Sequence, residues 1–199
     1  QIPLNSEQYY QKYLVMDDEN CFRQIFRDYR KPATEQELKQ LVQRKGKLYQ
    51  KETGGRLAFF QGIANFIQKA ASRCGMAIVS GARRSEIKQA LKRAHLLRYF
   101  AAIVSAEDVV NGKPDPEGLH LACAKLNEWL FKHTRGFTSI QPDECLVIED
   151  SVEGIEMAHK AGMKCVAVMN TYPAEKLKKA DLVIKSFTHF SLLDAEKLF

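Results

Sequence analysis

The sequence predicts an α/β protein, a three-layer core built on a mainly parallel sheet and preceded by a small all-helical region. Three observations predict it. Up to about residue 56 the apolar residues recur only at helical spacing; beyond that point short apolar runs alternate with helix-length amphipathic segments; and Thr53-Gly54-Gly55 separates the two patterns as a linker. Short apolar strands separated by helices argue for parallel strands covered on both faces. The expected division is therefore 1–56 helical and 57–199 α/β.

In the first region Asn20 to Tyr29 sets Cys21, Phe22, Ile25 and Phe26 on one helical face, and Thr34 to Tyr49 does the same with Leu38, Leu41, Val42 and Leu48. The second helix opens T-E-Q-E, a capping-box pattern. In the second region helices are expected at 60–72, 85–94, 116–130 and 152–161. Strands are expected at 76–80, 101–105, 145–149, 164–168 and 182–184. Phe131 to Gln141, polar and carrying Gly136, reads as a long connection.

Composition bounds the function. With 45% hydrophobic and 27% charged residues over 199 positions, the chain can bury a core. No apolar run approaches the roughly 18 to 20 residues that cross a bilayer. Gln1 to Tyr13 is polar, with neither the charged start nor the apolar centre of a signal peptide. The five cysteines, Cys21, Cys74, Cys123, Cys145 and Cys165, show no C-x-x-C spacing, so free thiols in a reducing cytoplasm are expected. The net charge of +6 is spread out, and the basic groups Arg44-Lys45-Lys47 and Lys176-Lys178-Lys179 read as solvated helix faces. The expected partner is a small molecule, with no nucleic acid and no membrane, and the chain a monomer or weak dimer.

In open parallel sheets ligands bind beyond the carboxyl ends of the strands, and three ends here carry chemistry. The first is Ala77-Ile78-Val79-Ser80-Gly81-Ala82-Arg83, where a hydroxyl and backbone N–H groups precede a helix and suit a phosphate oxygen. Ser80 equally reads as a simple helix cap. The second is Gly112-Lys113-Pro114-Asp115-Pro116, where two prolines restrain the loop that carries a lysine. A positioned ammonium can neutralise a phosphoryl group, whereas an unrestrained loop lysine is merely solvated. The third is Val147-Ile148-Glu149-Asp150-Ser151 with Gly154, two adjacent carboxylates ending an apolar strand. Such a pair suits Mg²⁺, and the alternative is that Asp150 or Ser151 caps the next helix.

The order strand-Ser80, Gly112-Lys113-Pro114, strand-Glu149-Asp150 resembles the haloacid dehalogenase-like hydrolase superfamily, in its phosphoglucomutase-like phosphatase branch with a helical cap. The resemblance covers essentially the whole chain and implies a Rossmann-like core. It implies catalytic roles for Ser80 and Lys113, substrate contacts from Ser80, Gly81 and Arg83, and Mg²⁺ held by Glu149 and Asp150. It also implies an aspartyl-phosphate mechanism on a small phosphorylated metabolite, a sugar phosphate among the candidates.

That resemblance also calls for a first apolar strand ending in Asp-x-Asp, which the sequence lacks. Leu14-Val15-Met16-Asp17-Asp18-Glu19 has too short an apolar run and no residue between its aspartates. The nucleophile is therefore expected on roughly 30 to 40 residues preceding Gln1, the size of a strand-helix unit, and this chain by itself is expected to be inactive. Without that strand two apolar edges face a gap. Hydrolysis is expected over hexose phosphate interchange, because Asp17, Asp18 and Glu19 occupy the stretch where mutases place a basic residue. A phosphate-binding relative that has lost catalysis is the remaining reading.

Overall fold

The computed structural model describes residues 2–14, 16–52 and 59–199. The chain divides into two compact units, Gln1–Ala58 and Phe59–Phe199. The expected linker Thr53-Gly54-Gly55 and the expected boundary after residue 56 lie outside the described residues.

The first unit holds α1 (Ser6–Lys12), α2 (Asp18–Asp28) and α3 (Glu35–Glu52). Helix α1 was not anticipated, because its sequence is polar and buries none of its residues; Asn5 and Gln8 define it through a capping box. The capping box expected of α3 is present: Thr34 N and Oγ1 donate to Glu37 Oε2 at 2.8 Å, and Glu37 N donates to Thr34 Oγ1 at 3.2 Å. Cys21 and Ile25 of α2 are buried with Tyr13, and Leu38 and Val42 of α3 are buried as the spacing predicted. Leu48, placed on the same face, is 49% exposed.

The acidic stretch at the start of α2 is structural. Asp17 is the N-cap, accepting from Asn20 N at 3.0 Å; Asp18 pairs with Lys45, and Glu19 bonds Arg23 at 3.0 Å. Lys45 is thus tied down rather than solvated, because its long stem returns to α2 across the α2–α3 packing.

The second unit alternates helix and strand: α4 (Ile63–Ala70), β1 (Ala77–Val79), α5 (Arg84–Arg93), β2 (Ala102–Val104), α6 (Glu117–His133), β3 (Leu146–Glu149), α7 (Val152–Lys160), β4 (Lys164–Val168), α8 (Ala174–Leu177), β5 (Leu182–Ile184) and α9 (Leu192–Glu196). Helix α6 runs three residues past the predicted 130, which shortens the following connection to 134–141. Asn127 of α6 holds that connection, donating to Ile140 O at 3.0 Å and accepting from Ile140 N at 2.8 Å. Helices α8 and α9 are only four and five residues long, too short to show a period.

Alternation along β4 shows why the unit has three layers. Cys165 and Ala167 join the core of α6, α7 and α8, while Val166 and Val168 join the opposite core of Phe66, Phe187, Phe190 and Ala195. Both faces are covered, as the apolar run Cys165–Val168 requires.

All strand pairs are parallel, in two pieces ordered β1-β2 and β3-β4-β5. Val79 of β1 packs with the first core and Met76, just before β1, packs with the second, so one pair of cores spans both pieces. Among the described residues β1 and β3 each pair on one side only. Of these two strands β1 is half-buried throughout and Ile148 in β3 is 37% exposed; β2, which among the described residues also pairs on one side only, is buried at every position.

Candidate active site

The carboxyl ends of β1 and β3 border one cavity of about 250 Å³, lined by Val79, Ser80, Gly81, Lys113, Ile148, Glu149 and Asp150, with Phe60 and Val168. Both pieces of sheet therefore run the same way, and all three chemically loaded ends meet. Of the expected site residues only Arg83 lies off this lining.

Ser80 is not the cap of α5. The helix begins at Arg84 with Arg83 at the N-cap, and Ser80 Oγ accepts from Ala82 N at 3.1 Å in a tight turn. That bond uses an acceptor lone pair and leaves the hydroxyl proton to donate. The Gly81 N–H has no acceptor among the described residues. Behind this turn Arg84 pairs with Asp108, its Nη2 at 2.6 Å from Oδ1. Asp108 also accepts from Ser105 N at 2.7 Å and from Ser105 Oγ. These donors, Ser105 first, lower its carboxyl to about 2.

Two prolines do not hold the Lys113 loop alone. The carboxylate of Glu117 accepts from Val110 N at 2.9 Å and Asn111 N at 2.8 Å, and Glu117 N donates to Asp115 Oδ1 at 2.9 Å. These amide bonds lower the carboxyl of Glu117. The sequence reading missed Glu117, although a glutamate two residues after Asp115 at a helix start is a capping signal.

Lys113 Nζ bonds Glu149 Oε1 across the cavity. Burial pulls the ammonium below the ordinary lysine range, and Asp150 and Glu153 oppose that shift. Glu149 is itself fully engaged. Its Oε2 accepts from Asp150 N at 2.9 Å, Ser151 N at 3.1 Å and Ser151 Oγ at 2.8 Å. With Lys113 this makes four donors, about the capacity of a carboxylate. Gly154 supports the arrangement, because a Cβ there would collide with the Glu149 carboxyl group.

Ser151 caps α7, accepting from Gly154 N at 3.1 Å, so Asp150 is not the cap. Thr171 Oγ1 donates to Asp150 Oδ2, while Oδ1 has no hydrogen-bond partner among the described residues. Asp150 can thus offer an oxygen to a cation. No group of three His, Cys, Asp or Glu side chains suited to a metal occurs among the described residues. One carboxylate plus water and substrate oxygens is a donor set that fits Mg²⁺. Thr171 carries no sequence signal, since it reaches Asp150 only through the turn after β4.

The sequence profile of the haloacid dehalogenase-like hydrolases matches residues 2–168. The chain belongs to that family. It is 30% identical over 163 residues, 81% of its length, to the chloroplastic 5-amino-6-(5-phospho-D-ribitylamino)uracil phosphatase of Arabidopsis thaliana, covering 40% of that protein. It is 34% identical over 116 residues, 58% of its length, to the validoxylamine A 7'-phosphate phosphatase of Streptomyces hygroscopicus subsp. limoneus, covering 49% of it. The chain thus spans less than half the length of these curated relatives. Among solved structures, β-phosphoglucomutase from Clostridium difficile superposes with a TM-score of 0.81 at 21% identity, over 99% of this chain and 82% of that one. CbbY from Rhodobacter sphaeroides, in complex with phosphate, gives 0.80 at 18% identity, over 96% and 83%. At such identities the two structures speak for the α/β fold alone.

Among the described residues no helix is long and apolar enough to cross a membrane. The five cysteines are free, with Cys21, Cys123 and Cys165 buried, Cys145 half-buried and Cys74 exposed.

Proposed function

We propose that the protein is a Mg²⁺-dependent phosphatase for a small phosphorylated metabolite of the sugar-phosphate class, with the first unit as its cap and the second as its hydrolase core. One observation carries this reading: a free hydroxyl proton, a buried ammonium and, among the described residues, an unpaired N–H and a carboxylate with an open oxygen converge on one cavity beside two strand edges that no described strand pairs. Phosphoryl transfer asks chiefly for positioning and charge neutralisation, which such a set provides.

Ser80 Oγ and Gly81 N–H hold the transferring phosphoryl oxygens, and Lys113 balances their charge. Asp150 holds the cation, which supplies further neutralisation of those oxygens when bound. Glu149 serves by fixing Lys113 and the 149–151 turn rather than as a direct ligand. Arg83, whose guanidinium makes no ion pair among the described residues, meets the part of the substrate that does not react.

The nucleophile is assigned to a strand that pairs between β1 and β3. A parallel strand seated there ends at the cavity, so the residues that follow it face Ser80 and Lys113. Following the family resemblance, one aspartate attacks phosphorus as the bond to the leaving oxygen breaks, and a second protonates that oxygen. The second then takes a proton from water, whose oxygen attacks phosphorus, releasing phosphate and restoring the first carboxylate. The phosphatase activities named for the relatives support hydrolysis over phosphate interchange. Repulsion by Asp17, Asp18 and Glu19 is a weaker support, since Lys45 and Arg23 neutralise two of the three.

The test measures phosphate release from a panel of sugar phosphates with and without Mg²⁺. The 199-residue chain alone is expected to be silent, and the protein extended by an upstream strand active. Asp150→Ala in the active form should remove Mg²⁺-dependent turnover. Turnover by the 199-residue chain alone would refute the strand assignment, and full activity of Asp150→Ala would refute the metal assignment.

A further inference from the structure

One atom near this cavity is not explained by the roles above. Glu153 Oε2 is buried and has no hydrogen-bond partner, and it is the only buried side-chain oxygen or nitrogen in that condition among the described residues. An unpartnered carboxylate oxygen taken out of water is costly, because it gives up hydrogen bonds to water and gains none in return. Such an atom persists where something is meant to meet it.

Its place in the fold identifies the group it meets. Glu153 is the second residue of α7, and the adjacent Gly154 carries the Glu149 carboxyl group against its Cα. Lys113 Nζ bonds the outer oxygen of that carboxyl group. The ammonium therefore lies over the first turn of α7, where Glu153 begins. The carboxylate of Glu153 also favours the charged form of Lys113. An ammonium has three N–H donors, and Glu149 takes one.

Resting on the phosphatase reading of the site, we propose that Glu153 is a positioning residue: its free oxygen takes a second N–H of Lys113 when a phosphoryl group takes the third. The ammonium is then a fixed tripod between Glu149, Glu153 and the phosphoryl oxygen. In the absence of a phosphoryl group Lys113 leans on Glu149, and Glu153 Oε2 waits unpartnered.

The sign of the effect separates this role from simple electrostatics. A carboxylate near an anion site repels the anion, so its removal should tighten binding if repulsion were its only influence. Positioning predicts the opposite. Inorganic phosphate is titrated calorimetrically into the protein extended by its upstream strand, with Mg²⁺ present, alongside the Lys113→Ala, Glu153→Leu and Glu153→Gln variants and the Lys113→Ala/Glu153→Leu double variant. Glu153→Leu should weaken phosphate binding about tenfold, and Glu153→Gln, which keeps a neutral acceptor, by less. In the Lys113→Ala background Glu153→Leu should cause no further weakening, because its effect passes through the ammonium. Phosphate bound equally or more tightly by Glu153→Leu, or weakened as much in the absence of Lys113, overturns the proposal. If Lys113→Ala binds phosphate like the wild type, the reading of the site itself fails. Circular dichroism melts of each variant separate a folding defect from these outcomes.

Discussion

Truncating Glu149 to alanine should destabilise the second unit far more than the loss of one surface charge. The side chain is 8% exposed and satisfies four donors, namely Lys113 Nζ, Asp150 N, Ser151 N and Ser151 Oγ. Removing it leaves an ammonium without its main partner and orphans two backbone N–H groups and a hydroxyl. Breaking a buried ion pair by deleting one member costs about 3 to 5 kcal/mol. Lys113 retains 23% exposure and can recover some hydration, which places the expected loss near the lower end, about 3 kcal/mol. For a chain of this size that corresponds to a fall in Tm of about 6 to 12 °C. Urea denaturation followed by circular dichroism measures it. Lys113→Met in the same assay should cost less, because Glu149 keeps three of its four donors. A loss below about 1 kcal/mol for Glu149→Ala would refute the view that this carboxylate organises the site.

Two further predictions follow from particular contacts. Gly154→Ala places a methyl group where the Glu149 carboxyl lies, so it should reproduce much of the Glu149→Ala destabilisation although it removes no hydrogen-bonding group; a melt within 1 °C of the wild type, on the order of a few tenths of a kcal/mol, would count against the close packing. Asp108, held at about 2 by Ser105 and Arg84, has a folded value below its unfolded one, so its contribution is complete above about pH 4 and lost as pH falls toward 2. The stability gap between wild type and Asp108→Asn should be up to about 2 kcal/mol at pH 7 and close over that window in urea titrations at stepped pH. A gap that does not change between pH 5 and pH 2 would show that the carboxylate form adds nothing.

The elements of the second unit were legible because both their signals are local. Cys165–Val168 and Leu182–Ile184 are unbroken apolar runs, and the bounds of the strands that hold them, Lys164–Val168 and Leu182–Ile184, agree with the sequence pattern to the residue. Thr34 and Glu37 are three residues apart, so their capping bonds could be read before any fold was known. Helices α1, α8 and α9 escaped because a polar or one-turn helix has no periodic face to display.

The sequence by itself determined which residues stand at the strand ends, since apolar runs stop where Ser80 and Glu149 begin and Gly112 to Pro116 forms a loop of fixed composition. Only the tertiary structure decided which groups each of them meets there. Ser80 and Asp150 each had a capping alternative, and these were settled by where α5 and α7 actually start. Glu149 bonds Lys113, 36 residues away in the chain. Asp18 pairs with Lys45, and Thr171 finds Asp150, across similar gaps. The physical reason is common to all of them. A carboxylate's chemistry depends on which donors fill its lone pairs, and those donors arrive from distant strands and helices whose meeting no local pattern encodes.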